Sequence, residues 1–286
     1  MLKTFKQLLA AETLAQQIAL FRELNAIPLT GESLTEMVKF IYGFLPEYPE
    51  KHIKALDLVG TGGDIKGTFN ISTITALYLA KQGIPIAKSG SVATSSRSGS
   101  MDCLLALGIQ SAKNAQTAKQ ELAQNGQTFL SARDFYPQFA HTHQARLALR
   151  DAGERTIMNV LGPLLNPLNP RYQVIGTYSV DLLRPMAEAM HLLGRQGFVV
   201  TSEGTDELTL SPDHHILEVR AQGIQPLKLD LSSLGFNYAG IENLQGGSPD
   251  ENAALARAML AGEVSGPKHD VVALNAMLGE RAYYGT

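Results

Sequence analysis

The chain is 286 residues long, enough for one large domain or two unequal ones. Its 24 Lys and Arg against 27 Asp and Glu leave a net charge of −3, which weighs against a nucleic-acid binder reading the phosphate backbone. With 44% hydrophobic and 18% charged residues the chain is no disordered segment, and its single cysteine, Cys103, excludes an internal disulfide and a cysteine-based zinc site.

A lone thiol fits a reducing cytoplasm, and no apolar run approaches the ~18–20 residues of a membrane span. Lys3 and Lys6 resemble the start of a signal peptide, but Glu12, Gln16 and Gln17 interrupt any apolar stretch behind them. Leu14, Ile18 and Phe21 are spaced for an amphipathic helix instead. Ser33 with Glu36 reads as a capping box for a helix whose apolar face is Leu34, Met37, Ile41 and Phe44. Pro46, Pro49 and the charged stretch Glu50–Lys54 read as a linker.

Beyond it the texture alternates. The apolar runs Ala55–Val59, Ile84–Ala87, Thr128–Ser131, Tyr172–Thr177 and Phe198–Thr201 predict strands. Helices are predicted over Ser72–Gln82, Met101–Leu107 and Ala115–Gln124, each stopped by a nearby glycine. Repeated strand, loop and helix predict an α/β fold with a mostly parallel sheet and ligands at the strands' C-terminal ends. A helical stretch near 138–161, closed by Gly162–Pro170, breaks the alternation.

Three polar loops follow strands. Gly60-Thr61-Gly62-Gly63-Asp64 lets backbone N–H groups approach an anion, and Thr68 to Thr73 then opens a helix whose dipole favours phosphate. The loop Lys88 to Ser100 carries six serines, one threonine and two cations, all donors for an oxyanion-rich ligand. Asp206-Glu207, just past the last predicted strand, offers vicinal carboxylates to a hard cation such as Mg²⁺. Each alone is compatible with an ordinary turn. His141, His143, His214 and His215 lack metal-site spacing and read as surface or core residues.

In this order the three loops resemble the anthranilate phosphoribosyltransferase family, within the wider group that includes pyrimidine nucleoside phosphorylases. The likeness runs from about Leu56 to Leu210 through Gly60–Asp64, Asn70–Thr73, Lys88 to Asp102, Arg155 to Pro167, and Asp206-Glu207. The resemblance implies a small helical domain (1–50 and 138–170) beside a large α/β domain (51–137 and 171–286), usually as a cytoplasmic homodimer. It implies transfer of ribose 5-phosphate from phosphoribosyl pyrophosphate (PRPP) to an aromatic amine, anthranilate being the best-named acceptor, as in tryptophan biosynthesis. By position, Gly60, Gly63, Asp64, Thr68, Asn70, Ser72, Thr73, Lys88, Ser95, Ser96 and Ser100 would hold PRPP, and Ser72, Asp206 and Glu207 would hold Mg²⁺. Gly60 would also border the acceptor.

The acceptor side departs from the pattern. The family's His and Asn after the lysine are Ser89 and Ser91 here. Its acceptor arginine falls on Arg146 when counted from Tyr136-Pro137 and on Leu149 when counted back from Arg155, so either Arg146 or its i+4 neighbour Arg150 could serve. The chain is also expected to lack helical material that the family carries at both ends. A different aromatic acceptor and a nucleoside phosphorylase are the alternatives, with a non-catalytic nucleic-acid-binding relative disfavoured by the charge balance.

Overall fold

Three helices come first: Leu2–Ala10 (α1), Leu14–Ala26 (α2) and Gly31–Tyr42 (α3). The structure is a computed structural model and describes residues 1–62, 66–90 and 99–285. The expected capping box of α3 is displaced. Thr30 caps the helix, its hydroxyl accepting the Ser33 N–H and the Ser33 hydroxyl accepting the Thr30 N–H, each at 3.2 Å. The extra turn is possible because Gly31 is pressed against Glu188, where a Cβ would lie 2.2 Å from that side chain. Leu34, Met37 and Ile41 are buried as predicted, while Phe44 lies past the helix end and is exposed. Leu14, at the first turn of α2, is exposed too.

The predicted linker is shorter than its charges suggested, because Ile53 already pairs with Pro170 and begins the first strand. From there the chain runs Ile53–Gly60 (β1), Ile71–Lys81 (α4), Ile86–Gly90 (β2), Ser100–Ala106 (α5), Ala115–Asn125 (α6) and Gln127–Ser131 (β3). The interruption follows as Ala132–Phe135 (α7), His143–Asp151 (α8) and Ile157–Leu161 (α9). Pro170–Gly176 (β4), Leu183–Leu192 (α10), Gln196–Ser202 (β5), His214–Arg220 (β6), Gly223–Leu227 (β7), Pro249–Ala261 (α11) and Pro267–Tyr284 (α12) complete it.

The strands form one sheet in the order β3-β2-β1-β4-β5-β6-β7. The first five are parallel, and β6 and β7 close the far edge as antiparallel strands. That edge was not predicted: β7 has no buried residue and carries Pro226, a residue confined to edge strands because it has no N–H to give.

Alternation along the strands divides the core into two layers. Leu56, Leu58, Ile86, Val174 and Phe198 face α4, α11 and α12. Ala55, Val59, Ala87, Ile175 and Val199 face the other way, and their apolar cluster runs without a break into α1, α2, α3, α9 and α10. The order places the C-terminal ends of β2, β1, β4 and β5 side by side, which is where the three polar loops emerge.

Candidate active site

The acid turn is built first by its backbone. After β5 the chain reverses through Glu203 and Gly204, both at positive φ (50° and 73°). Thr205 locks the reversal, its N–H and hydroxyl each donating to Ser202 O at 2.8 Å while its carbonyl accepts the Thr201 hydroxyl. Asp206 is thereby carried back across the end of β4 to the end of β1.

Two strand-terminal glycines make room for it. A Cβ on Gly176 would lie 1.6 Å from the Asp206 carbonyl oxygen, and one on Gly60 would lie 2.0 Å from its Oδ2. Asp206 Oδ2 accepts the Gly62 N–H at 2.6 Å, and Glu207 Oε1 accepts the Ser72 N–H at 3.4 Å. The acids therefore meet the glycine loop and the first turn of α4 together. Thr61 is held independently: its N–H donates to Gly176 O, its hydroxyl accepts the Tyr178 N–H at 3.1 Å, and its carbonyl accepts from Asn159.

The first turn of α4 is braced from the chain's C-terminal third. Asn70 caps the helix by position without a side-chain bond to it; its Oδ1 accepts from Asn252 at 2.9 Å. Asn252 Oδ1 in turn accepts the Gly247 N–H, and Thr68 bridges to Gln245. Ser72, Asn70 and Thr68 are half-buried, at the surface of the cleft. Thr73 differs, because its side chain is fully buried and its hydroxyl has no hydrogen-bond partner among the described residues.

Lys88 approaches the site from below. Only 1% exposed, it lies beneath the site, donating to Leu58 O and, at 3.3 Å, to the Ser72 hydroxyl. Burial pulls its ammonium below the usual lysine range, and the carboxylates of Asp57, Glu207 and Asp206 oppose that shift. Ser100 stands at the end of β2, where a Cβ on Gly90 would come within 3.0 Å of its own Cβ. Gly63, Asp64, Ser91, Ser95 and Ser96 lie outside the described residues.

On the acceptor side the two arginines have different surroundings. Arg150 is exposed and pairs with Asp151 at 2.6 Å. Arg146 is half-buried, burial lowers its pKa, and its Nε is buried without a partner among the described residues. Leu149, the other position reached by counting, is buried in the core. Ser89 turns away from α4, giving its hydroxyl to Asp57 at 2.7 Å.

The residues available to a metal are two adjacent carboxylates and one hydroxyl, an all-oxygen set. That suits Mg²⁺, which needs only one or two carboxylates when phosphate oxygens and water fill its remaining positions. No cluster of three or more His, Cys, Asp or Glu that could hold a metal occurs among the described residues. Gly176 and Asn252 are the site residues that sequence reasoning missed. Gly176 carried a faint signal, a glycine closing an apolar strand run; Asn252 carried none, since its role depends on a contact 182 positions away.

Residues 52–282 match the model for the glycosyl transferase family, a/b domain. Anthranilate phosphoribosyltransferase from Thermus thermophilus is 45% identical over 224 residues, which span 78% of this chain and 66% of that protein, just under two thirds of its length. The enzyme of the same name from Actinobacillus succinogenes is 34% identical over 278 residues, 96% of this chain and 82% of its own. The crystal structure of the Thermus thermophilus enzyme superposes with a TM-score of 0.85 at 38% identity, covering 98% of this chain and 83% of that one. The Saccharomyces cerevisiae enzyme in complex with PRPP and Mg gives 0.80 at 26% identity, over 95% of this chain and 77% of that one. The chain belongs to the anthranilate phosphoribosyltransferase family.

Proposed function

We propose that this protein transfers ribose 5-phosphate from PRPP to the amino group of an aromatic acid, anthranilate, and releases pyrophosphate. The observation that carries the reading is the meeting of Asp206 with the Gly62 N–H and of Glu207 with the Ser72 N–H over two side-chain-free strand ends. In the reading, the hydroxyls of Thr68, Ser72 and Ser100 bind the phosphates together with those N–H groups at the start of α4 and in the glycine loop that Gly176, Asp206 and Glu207 do not already accept. Ser72, Asp206 and Glu207 hold Mg²⁺, which when bound supplies positive charge against the departing pyrophosphate.

Departure of pyrophosphate leaves an oxocarbenium-like ribose carbon, and an arylamine nitrogen is already nucleophilic enough to attack it. The protein's task is therefore placement of the two reactants, and no acid or base is assigned. Lys88 acts from below, fixing Ser72 and balancing the two acids without touching the ligand. Thr73, buried, supports α4 in the same indirect way. Residues 1–50 and 138–170 form the helical lobe that closes the acceptor side, with Arg146 as the cation for the acceptor's carboxylate.

A second acceptor is favoured by one observation: Ser89, standing where the family has histidine, is engaged with Asp57. An aromatic acid other than anthranilate is then the substrate, with the donor half unchanged. Anthranilate fluorescence decides between them. Its loss on adding PRPP, Mg²⁺ and enzyme is the expected result; PRPP binding with undiminished fluorescence assigns a different acceptor, and neither binding nor turnover overturns the reading.

A further inference from the structure

The apolar run of β1 contains one carboxylate, Asp57, buried on the side facing the helical layer. Its Oδ1 accepts the Ser89 N–H at 3.0 Å, and its Oδ2 accepts the Ser89 hydroxyl at 2.7 Å, Asn166 at 2.9 Å and Gln173 at 3.3 Å. Neither amide is free to turn over. Asn166 also donates to Ala87 O while its Oδ1 accepts the Leu168 N–H. Gln173 also donates to Pro163 O while its Oε1 accepts from Arg195 at 2.7 Å.

Arg195 heads the largest fully buried side chains, at 1% exposure. Its other nitrogens donate to Asn169 Oδ1 and to the Tyr42 hydroxyl, which donates onward to Asn166 O at 2.7 Å. A guanidinium has donors only, so Gln173 must turn its oxygen to Arg195 and its NH₂ to Asp57. With that choice made, Asp57 is surrounded by donors and must act as acceptor throughout. Burying two charges that do not touch each other is unfavourable compared with a hydrophobic filling of the same volume. What the network adds is direction, running from α3 through β4 to β2.

We propose that Arg195 is a positioning residue for the phosphate-site end of β2. By fixing Gln173 it keeps Asp57 as the acceptor that pins Ser89, and Ser89 sits between Lys88, which reaches Ser72, and Gly90, which abuts Ser100. The functional half of this inference rests on the phosphoribosyl reading above; the structural half does not.

The test combines amide hydrogen exchange with calorimetric titration of PRPP in MgCl₂, on the full chain. In Arg195→Met, exchange across 86–90 should accelerate about tenfold relative to the other parallel strands, and the PRPP dissociation constant should rise about tenfold. Arg195→Lys, which can keep a donor for Gln173 but not all three bonds, should bring both readouts part of the way back, closer to the wild type than Arg195→Met. If Arg195→Met does not fold, Ser89→Ala substitutes for it, losing the hydroxyl bond alone and shifting both readouts in the same direction. A lower melting temperature with uniform exchange and unchanged PRPP affinity would overturn the proposal, because that is what loss of packing alone produces. A wild-type protein that ignores PRPP removes the phosphoribosyl reading, while the exchange measurement still decides whether Arg195 holds β2.

Discussion

At Gly176 the site depends on the absence of a single methyl group. The Asp206 carbonyl occupies the space a Cβ would take, so Gly176→Ala must push the acid turn off the end of β4. Misplacing catalytic groups by about an ångström costs on the order of 100-fold. We therefore expect kcat/KM for PRPP to fall about 100-fold in Gly176→Ala, the melting temperature to fall with it because the displaced atoms are backbone, and added Mg²⁺ to recover part of the activity. Wild-type kinetics would mean that the acid turn tolerates displacement. The neighbouring residues show why the site was only partly legible beforehand. Gly60, Ser72 and the Asp206-Glu207 pair announce themselves by composition and by position after a strand. Gly176 and Asp57 do not, since a glycine or one carboxylate within an apolar run acquires meaning only from what packs against it.

Among the elements, α4 and the segment leading into α11 form one unit. Asn252 links Asn70 to Gly247, and the Thr68–Gln245 bridge runs beside it. Removing the amide in Asn252→Ala frees the first turn of α4, so KM for PRPP should rise severalfold while kcat moves less. A change in kcat alone would argue that the brace serves chemistry and not binding. The five parallel strands were readable because each is a short apolar run closed by glycine or serine, with both faces covered. The β6–β7 edge was not, because His214, His215, Glu218 and Arg220 break up the apolar run of β6, and β7 is a five-residue strand interrupted by Gln225 and Pro226. The N-terminus of α3 was misplaced for a related reason: Thr30 and Ser33 offer a capping pair as good as Ser33 and Glu36, and the contact of Gly31 with Glu188 decides between them.

For the whole molecule, two histidines contribute to the pH dependence of stability. His52 packs against Gly194 and Asn169, and burial holds its pKa below the ordinary ~6.5, with the charges of Arg195 and Arg171 adding to the effect. His143 is lowered by burial and then by Arg146, Arg133 and Arg150. Below about pH 6.5 the unfolded chain binds protons that the folded one refuses, so stability is full above that value and declines as pH falls through it. The melting temperature should drop between pH 7.5 and 5.5, and His52→Asn should reduce that drop; an equal drop in the variant would assign the effect elsewhere. No described helix is long and apolar enough to cross a membrane.

The proposed transfer requires the ends of β1, β2 and β5 to hold one metal-bound pyrophosphate together. Calorimetric titration of PRPP with and without MgCl₂, on the wild type and on Asp206→Asn combined with Glu207→Gln, tests it most directly. Saturable binding that needs Mg²⁺ and disappears in the folded double variant is the expected result. Equal binding by both proteins, or none by the wild type under either condition, would contradict it.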